Sequence, residues 1–221
     1  MITYTAILGG FPNKLHQHGG TQDEDFFAFV DCPPGEEPTL TLQEAQHDGW
    51  WLRRVAVEDQ PRRTARQLKI LAHKTFPHAE YTLWVDGCLT PLTPMWKLVD
   101  QFLDNHDICV FEHMERSCVY RELEACIRLK KDDPQIMRDQ VNRYRRDGYP
   151  YNHGLGETTA VLRRHNKVTQ ALNEAWWREI EQGSMRDQLS FNYVCWKLGV
   201  EYATFEGNRV KSPHFKHRPH R

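Results

Sequence analysis

Asp86 closes the apolar run YTLWV and is followed by Gly87, so a carboxylate stands where an alternating strand pattern stops. In an open α/β sheet, ligands bind at the carboxyl ends of strands, and an aspartate there could hold a divalent cation beside a diphosphate. Asp-Gly is equally ordinary turn chemistry, and the stretch alone admits both readings. Upstream, Arg66 and Lys69 stand three apart on one predicted helix face, close enough to grip a diphosphate together. The alternative is a basic face that only snorkels over apolar surface. Gly9 and Gly10 end a first strand pattern and Asp31 a second, which suggests a nucleotide cradle shared with Asp86 and Gly87.

Further along, Asn152, His153 and Glu157 surround Gly154 and Gly156, where backbone can approach a ligand closely. Asp187 and Gln188 follow Ser184 in an [ST]-x-x-[DE] pattern, so Asp187 reads as a helix-cap acid or as a site carboxylate. His113 and Arg116 come directly after a fifth strand pattern, again at a ligand position. His214, His217 and His220 could fold back to give a metal an imidazole, or belong to a disordered basic terminus.

The elements that must position these groups alternate. ITYTAIL, FFAFV, WWLRRVAV, YTLWV, ICVFE, GETTAVLRR and VEYATF read as strands. RRTARQLKILAHKTF, YRELEACIRLKK, QIMRDQVNRYRRDG after Pro134, HNKVTQALNEAWWREIEQG and RDQLSFNYVCWKLG read as helices. Such alternation predicts an α/β domain with a largely parallel sheet. The 221 residues suit one domain, with no repeat and no linker.

Composition excludes several classes. Hydrophobic residues at 39% and charged residues at 27% describe an ordinary globular chain. No apolar stretch approaches the ~20 residues of a membrane span, and the N-terminus lacks a basic leader, so a cytoplasmic location is expected. Six scattered cysteines without a CxxC pair argue against a zinc knuckle or a disulfide scaffold. There is no GxGxxG, Walker or GxSxG motif. The net charge of −1 gives no general attraction to nucleic acid, although Arg143, Arg145 and Arg146 and the basic tail could track phosphates.

Taken together, YTAILGGFPNKL with FFAFVD, RQLKILAHKTFPHAEYTLWVDG, YRELEA, GYPYNHGLGETTAVLRRHN, WWREIEQGSMRDQLSFNYVCWKLG and SPHFKH resemble the TOD/MUCI glycosyltransferase-like domain family over almost the whole chain. The resemblance implies a single GT-A-like, Rossmann-like domain over residues 1–210, distantly similar to the glycogenin and galactosyltransferase group. Residues 211–221 would be a basic, His-rich tail closing over the site. It also implies a D-x-D metal site for Mn2+ or Mg2+, with Asp86 matching the first aspartate and His214 the late histidine, His217 being second. The third motif position is Cys88, a poor ligand for a hard cation. Phe11 and Pro12 stand where the family shows Tyr-Asp. Asp187 and Gln188 match the D-Q segment beside donor sugar and acceptor.

The expectation is a metal-dependent transferase moving a sugar from a nucleotide-diphosphate donor, of UDP type, to a hydroxyl of a glycan or other biopolymer. Asp187 or Glu157 would be the base of an inverting reaction. Gly9, Gly10, Asp31, Arg66, Lys69, Asp86 and Gly87 would hold the donor, and His113, Arg116, Asn152, His153, Gly154 and Gln188 the substrate. Two rivals stand beside it: a transferase acting on a hydroxylated base in DNA, and a degenerate module that binds glycan or nucleotide without turnover.

Overall fold

The structure is a computed structural model that describes residues 1–10, 24–32, 46–47, 49–57 and 60–218. Phe11, Pro12, the loop 33–38 and His220 lie outside the described residues. The strands are β1 (Ile2–Ile7), β2 (Asp25–Asp31), β3 (Gln46–His47), β4 (Trp50–Val55), β5 (Tyr81–Val85), β6 (Leu89–Pro91), β7 (Ile108–Glu112), β8 (Gly156–Arg164), β9 (Ala203–Thr204) and β10 (Phe215–His217). The helices are α1 (Pro61–Ile70), α2 (Ala72–Thr75), α3 (Met95–Phe102), α4 (Val119–Arg128), α5 (Pro134–Arg146), α6 (Lys167–Gln182) and α7 (Asp187–Leu198).

Local chemistry accounts for many of the boundaries. Pro61 and Pro134 open their helices, and the Asp133 carboxylate caps α5 by accepting from the Gln135 and Ile136 amides. Asn166 and Thr169 form a reciprocal capping box at α6, and Gly199 ends α7 in the left-handed region at φ 63°. The stretch expected as one helix after Pro61 breaks at Leu71 into α1 and α2.

Among the described residues one sheet runs β3-β4-β2-β1-β5-β8-β7-β9, and β6 pairs with β10 in a second, two-stranded sheet. β4, β2, β1 and β5 are mutually parallel, and β7 is parallel to β9. β8 runs antiparallel between β5 and β7. The chain therefore moves outward from β1 through β2 to β4, then returns by α1 to lay β5 on the other side of β1. That reversal is the topological switch point of an open α/β sheet.

Alternate strand residues feed two cores. Trp84, Ile108, Val110 and Val161 face one with α6 and α7, while Leu83, Val85, Cys109, Phe111 and Leu162 face the other with α3. Burial on both faces explains why these strands read as nearly continuous apolar runs. Residues 211–218, expected as a flexible basic end, are instead part of the fold. Phe215 is 2% exposed and packs on Phe111 and Phe205. Apolar burial of that ring outweighs the ordering entropy that a polar tail could not offset.

Candidate active site

The switch point opens into a cleft of about 300 Å3. Ala6 and Leu8 from the end of β1, Trp84, Asp86 and Gly87 from the end of β5, and Arg62 and Arg66 from α1 line it. Gly9 and Gly10 turn the chain there. Both amides donate to the Asp31 carboxylate, at 2.9 and 3.1 Å, so Asp31 holds the turn after β1. Gly9 has φ +74° and a Cβ on it would stand 2.7 Å from Pro61, which leaves glycine alone able to bring the turn against α1.

Asp86 is a turn residue whose side chain also faces the cleft. Its carbonyl accepts from the Leu89 amide in the β5–β6 turn, and its carboxylate reaches the cleft, 27% exposed. The Trp84 indole N–H donates to Oδ1 at 2.7 Å, and Lys69 Nζ lies 3.7 Å from the same oxygen.

Lys69 is 1% exposed and does not line the cleft. Its ammonium donates to Asp187 Oδ2 at 2.6 Å and to Thr158 Oγ1 at 3.1 Å. Arg66 Nε pairs with Asp187 Oδ1 at 3.0 Å. The two cations expected to share a diphosphate thus share an aspartate, and only Arg66 also faces the cleft. The reason is an unmatched buried charge: Asp187 is 3% exposed at the start of α7 and requires cationic partners. Burial alone would raise its pKa, but Arg66, Lys69 and Arg186 hold the carboxyl well below the usual carboxylate range. A carboxylate so clamped is a poor proton acceptor, which weighs against Asp187 as a base. Nor is it a capping-box acid, because Ser184 accepts from the Arg186 amide and donates to Asp132 instead.

A second pocket of about 270 Å3 adjoins the first and shares Lys131 and Arg186 with it. His113, Arg116, Glu157 and Gln188 line it together with Glu122. Antiparallel β8 explains how Glu157 arrives: its first residues lie at the sheet edge where β5 ends, and the Asp86 amide donates to the Thr159 carbonyl at 2.8 Å. Glu157 pairs with Arg209 at 2.9 Å. Glu122, buried on α4, accepts from Arg116 Nε at 2.6 Å and from Gln188 Nε2 at 3.1 Å. His113 Nδ1 accepts from the Glu115 and Arg116 amides, and burial keeps its imidazole below the ordinary histidine range.

Asn152, His153 and Gly154 do not join this pair of pockets. Asn152 is an exposed turn residue at φ 54°, and His153 packs edge-on against Tyr149 and lines a separate, open pocket beside Trp196 and Tyr202. Gly154 faces Tyr202 and Asn192. Arg143, one of the three arginines considered for phosphate tracking, is held on Glu179 by both terminal nitrogens at 2.9 and 2.7 Å.

The metal expectation meets a similar displacement. The β6–β10 register sets His217 opposite Leu89, and the Arg218 amide donates to the Cys88 carbonyl, whereas His214 lies at the far end beside Leu92. His214 packs on Phe102 and bonds Thr93, and burial lowers its pKa. Burial and the nearby Asp86 push the Cys88 thiol up to about 11, so it stays a neutral sulfur. No cluster of three or more His, Cys, Asp or Glu side chains suited to a metal occurs among the described residues. The donors gathered at Asp86 therefore do not fit a hard divalent cation.

Sequence reasoning missed Glu122, Thr158, Lys131, Arg186 and Arg209 as site residues. Glu122 and Arg186 sit inside the stretches YRELEA and SMRDQLSF, and the DDP that follows Lys131 marks only a helix start. Nothing local says that these loops meet.

A sheet reversing at β1 and β5, with one antiparallel strand bringing carboxylate and hydroxyl to that edge, is the open, Rossmann-like α/β arrangement of a GT-A-like domain. The family model of the TOD1/MUCI70, glycosyltransferase-like domain matches residues 26–216, and the chain belongs to that family. A probable hexosyltransferase of Arabidopsis thaliana, MUCI70, is 29% identical over 225 residues, covering 91% of this chain and 38% of that protein. The alkaline ceramidase TOD1 of the same plant is 27% identical over 137 residues, 57% of this chain and 30% of that protein. The chain thus spans well under half the length of either relative. Among solved structures, the bifunctional glycosyltransferase WbbM in its apo form matches with a TM-score of 0.50 at 9% identity, over 87% of this chain and 36% of that one, a likeness of fold alone. No helix among the described residues is long and apolar enough to cross a membrane.

Proposed function

We propose that this chain is a glycosyltransferase domain that moves a sugar from a nucleoside-diphosphate donor, of the uridine type, to an acceptor hydroxyl. The observation that carries the reading is the pair of joined pockets at the switch point, one cation-lined and one holding carboxylates. The diphosphate would occupy the first, beside Arg62 and Arg66, and the sugar the second, beside Glu157, Gln188 and Arg116. In the reaction the acceptor oxygen bonds to the anomeric carbon. The bond from that carbon to the diphosphate oxygen breaks, and its electron pair leaves with the diphosphate. The acceptor proton passes to Glu157 in an inverting displacement, or to the departing phosphate oxygen in a retaining one. Asp187 serves this chemistry indirectly, by fixing Arg66 and Lys69.

The test is release of nucleoside diphosphate from a panel of nucleotide sugars, read by chromatography with and without simple saccharide acceptors. At least one donor is expected to be consumed, and Glu157→Gln, in protein shown by circular dichroism to be folded, should slow its consumption by roughly 10²–10⁴-fold. A donor that binds tightly without turnover would identify a binding module instead. A panel that neither binds nor reacts would reject the donor site.

A further inference from the structure

Cys88 does more than remove one metal ligand: the whole cleft around Asp86 is charged for an anion. Arg62, Arg66, Lys131 and Arg186 line it, and Lys69 lies behind Asp86. Against these five cations stand Asp86, the carboxylate that lines the cleft, and Asp187 and Asp132 behind its wall. Asp187 is already bound to Lys69 and Arg66, and Asp86 Oδ1 already accepts from Trp84. A dication would enter a site that carries surplus positive charge and offers one partly engaged oxygen donor. A diphosphate would meet the opposite field.

Lys131 and Arg186 hold the position that matters most, the wall common to both pockets. A donor whose diphosphate fills one pocket and whose sugar fills the other places its scissile bond there. The two loops that carry them are tied together, because the Asp132 carboxylate accepts from Ser184 Oγ at 2.7 Å and from the Met185 amide at 2.8 Å. Among the described residues, the Lys131 ammonium makes no ion pair, so its charge is available to a ligand.

We propose that Lys131 and Arg186, with Arg62 and Arg66, neutralise the leaving diphosphate in place of a divalent cation, so that this transferase works without metal. The inference rests on the donor-site reading above. It places side-chain cations where negative charge develops as the bond from the anomeric carbon to the diphosphate breaks. Asp132 is then a positioning residue that holds both loops at the junction.

Inorganic pyrophosphate tests this without knowledge of the base or sugar. The full chain is stripped with EDTA, and pyrophosphate binding is measured by calorimetry in EDTA and again with Mn2+ or Mg2+. Binding in EDTA is expected, with affinity within about threefold of that with metal. Each charge-assisted contact removed should weaken it about 10–150-fold, so Lys131→Ala and Arg186→Ala should each show a loss in that range. Lys131→Arg should restore most of the affinity, and Lys131→Glu should abolish it. Lys131 is exposed, and matching melting temperatures confirm that its variants fold. Binding that appears only with metal overturns the inference and leaves the transferase reading intact. Alanine variants that bind like the parent do the same. No binding under either condition overturns the donor site and this inference together.

Discussion

Lys69→Met removes the ammonium 2.6 Å from Asp187 and 3.1 Å from Thr158 while keeping most of the buried stem. Breaking a buried ion pair from one side costs about 3–5 kcal/mol, because the remaining charge stays in a poor solvent. Arg66 still stands 3.0 Å from the same carboxylate, which places the expected loss at the lower end, about 3 kcal/mol. For a domain of this size each kcal/mol moves Tm by roughly 2–4 °C, so Tm should fall by roughly 6–12 °C. A pH series gives an independent readout. The folded-state pKa of Asp187 is depressed, so its stabilisation is present above the unfolded carboxylate value of ~3.9 and is lost as pH falls through the folded value. Without Lys69 the folded value rises towards the unfolded one, so the acid loss of stability still begins near the unfolded value of ~3.9 but is smaller and is complete at higher pH than in the parent. Urea unfolding at about pH 7 and about pH 2.5, below the unfolded carboxylate value, on the parent, Lys69→Met, Asp187→Asn and the double variant, measures both effects. The double variant should be less destabilised than the sum of the singles. A loss below about 1 kcal/mol, or strictly additive singles, would refute the account of Asp187 as a clamped structural charge.

Two other variants test neighbouring claims. Asp86→Ala should abolish donor consumption and also cost about 1–3 kcal/mol in urea unfolding, since the buried Trp84 indole N–H loses its acceptor; unchanged stability would show that this bond contributes nothing. Phe215→Ala should cost about 3–5 kcal/mol by thermal melting, as expected for a buried ring between Phe111 and Phe205, and an unaltered melt would return the C-terminal segment to a loose appendage.

Much of the architecture was legible because its signals are local. Period-two and period-3.6 patterns located β1, β2, β4, β5, β7, β8 and β9, the helices α4, α5, α6 and α7, and α1 with α2 as one helix, and Pro134 and Gly199 marked the ends of two of them. Elements with weak patterns escaped: α3 follows a proline-rich turn, and β6 and β10 are three residues each, stabilised by pairing with one another. The strand-end positions of Gly9, Asp31 and Asp86 were also readable, because an apolar run that stops at a glycine or an aspartate is a local event.

The sequence by itself determined the alternation of elements, the carboxylate at the end of β5 and the sulfur of Cys88 two residues later. Tertiary structure alone decided which charges meet. Lys69 and Asp187 are 118 residues apart, and nothing between them says that the ammonium turns inward to the aspartate instead of outward to a phosphate. The antiparallel course of β8 delivers Glu157 and Thr158 to the cleft edge, and a parallel strand would have sent them to the other end of the sheet. The β6–β10 register brings His217 to the Asp86 side and leaves His214 against Phe102. Periodicity reports which face of an element is buried, but burial costs fix each charge only when a distant partner supplies its counter-charge, and that pairing exists only in the folded chain.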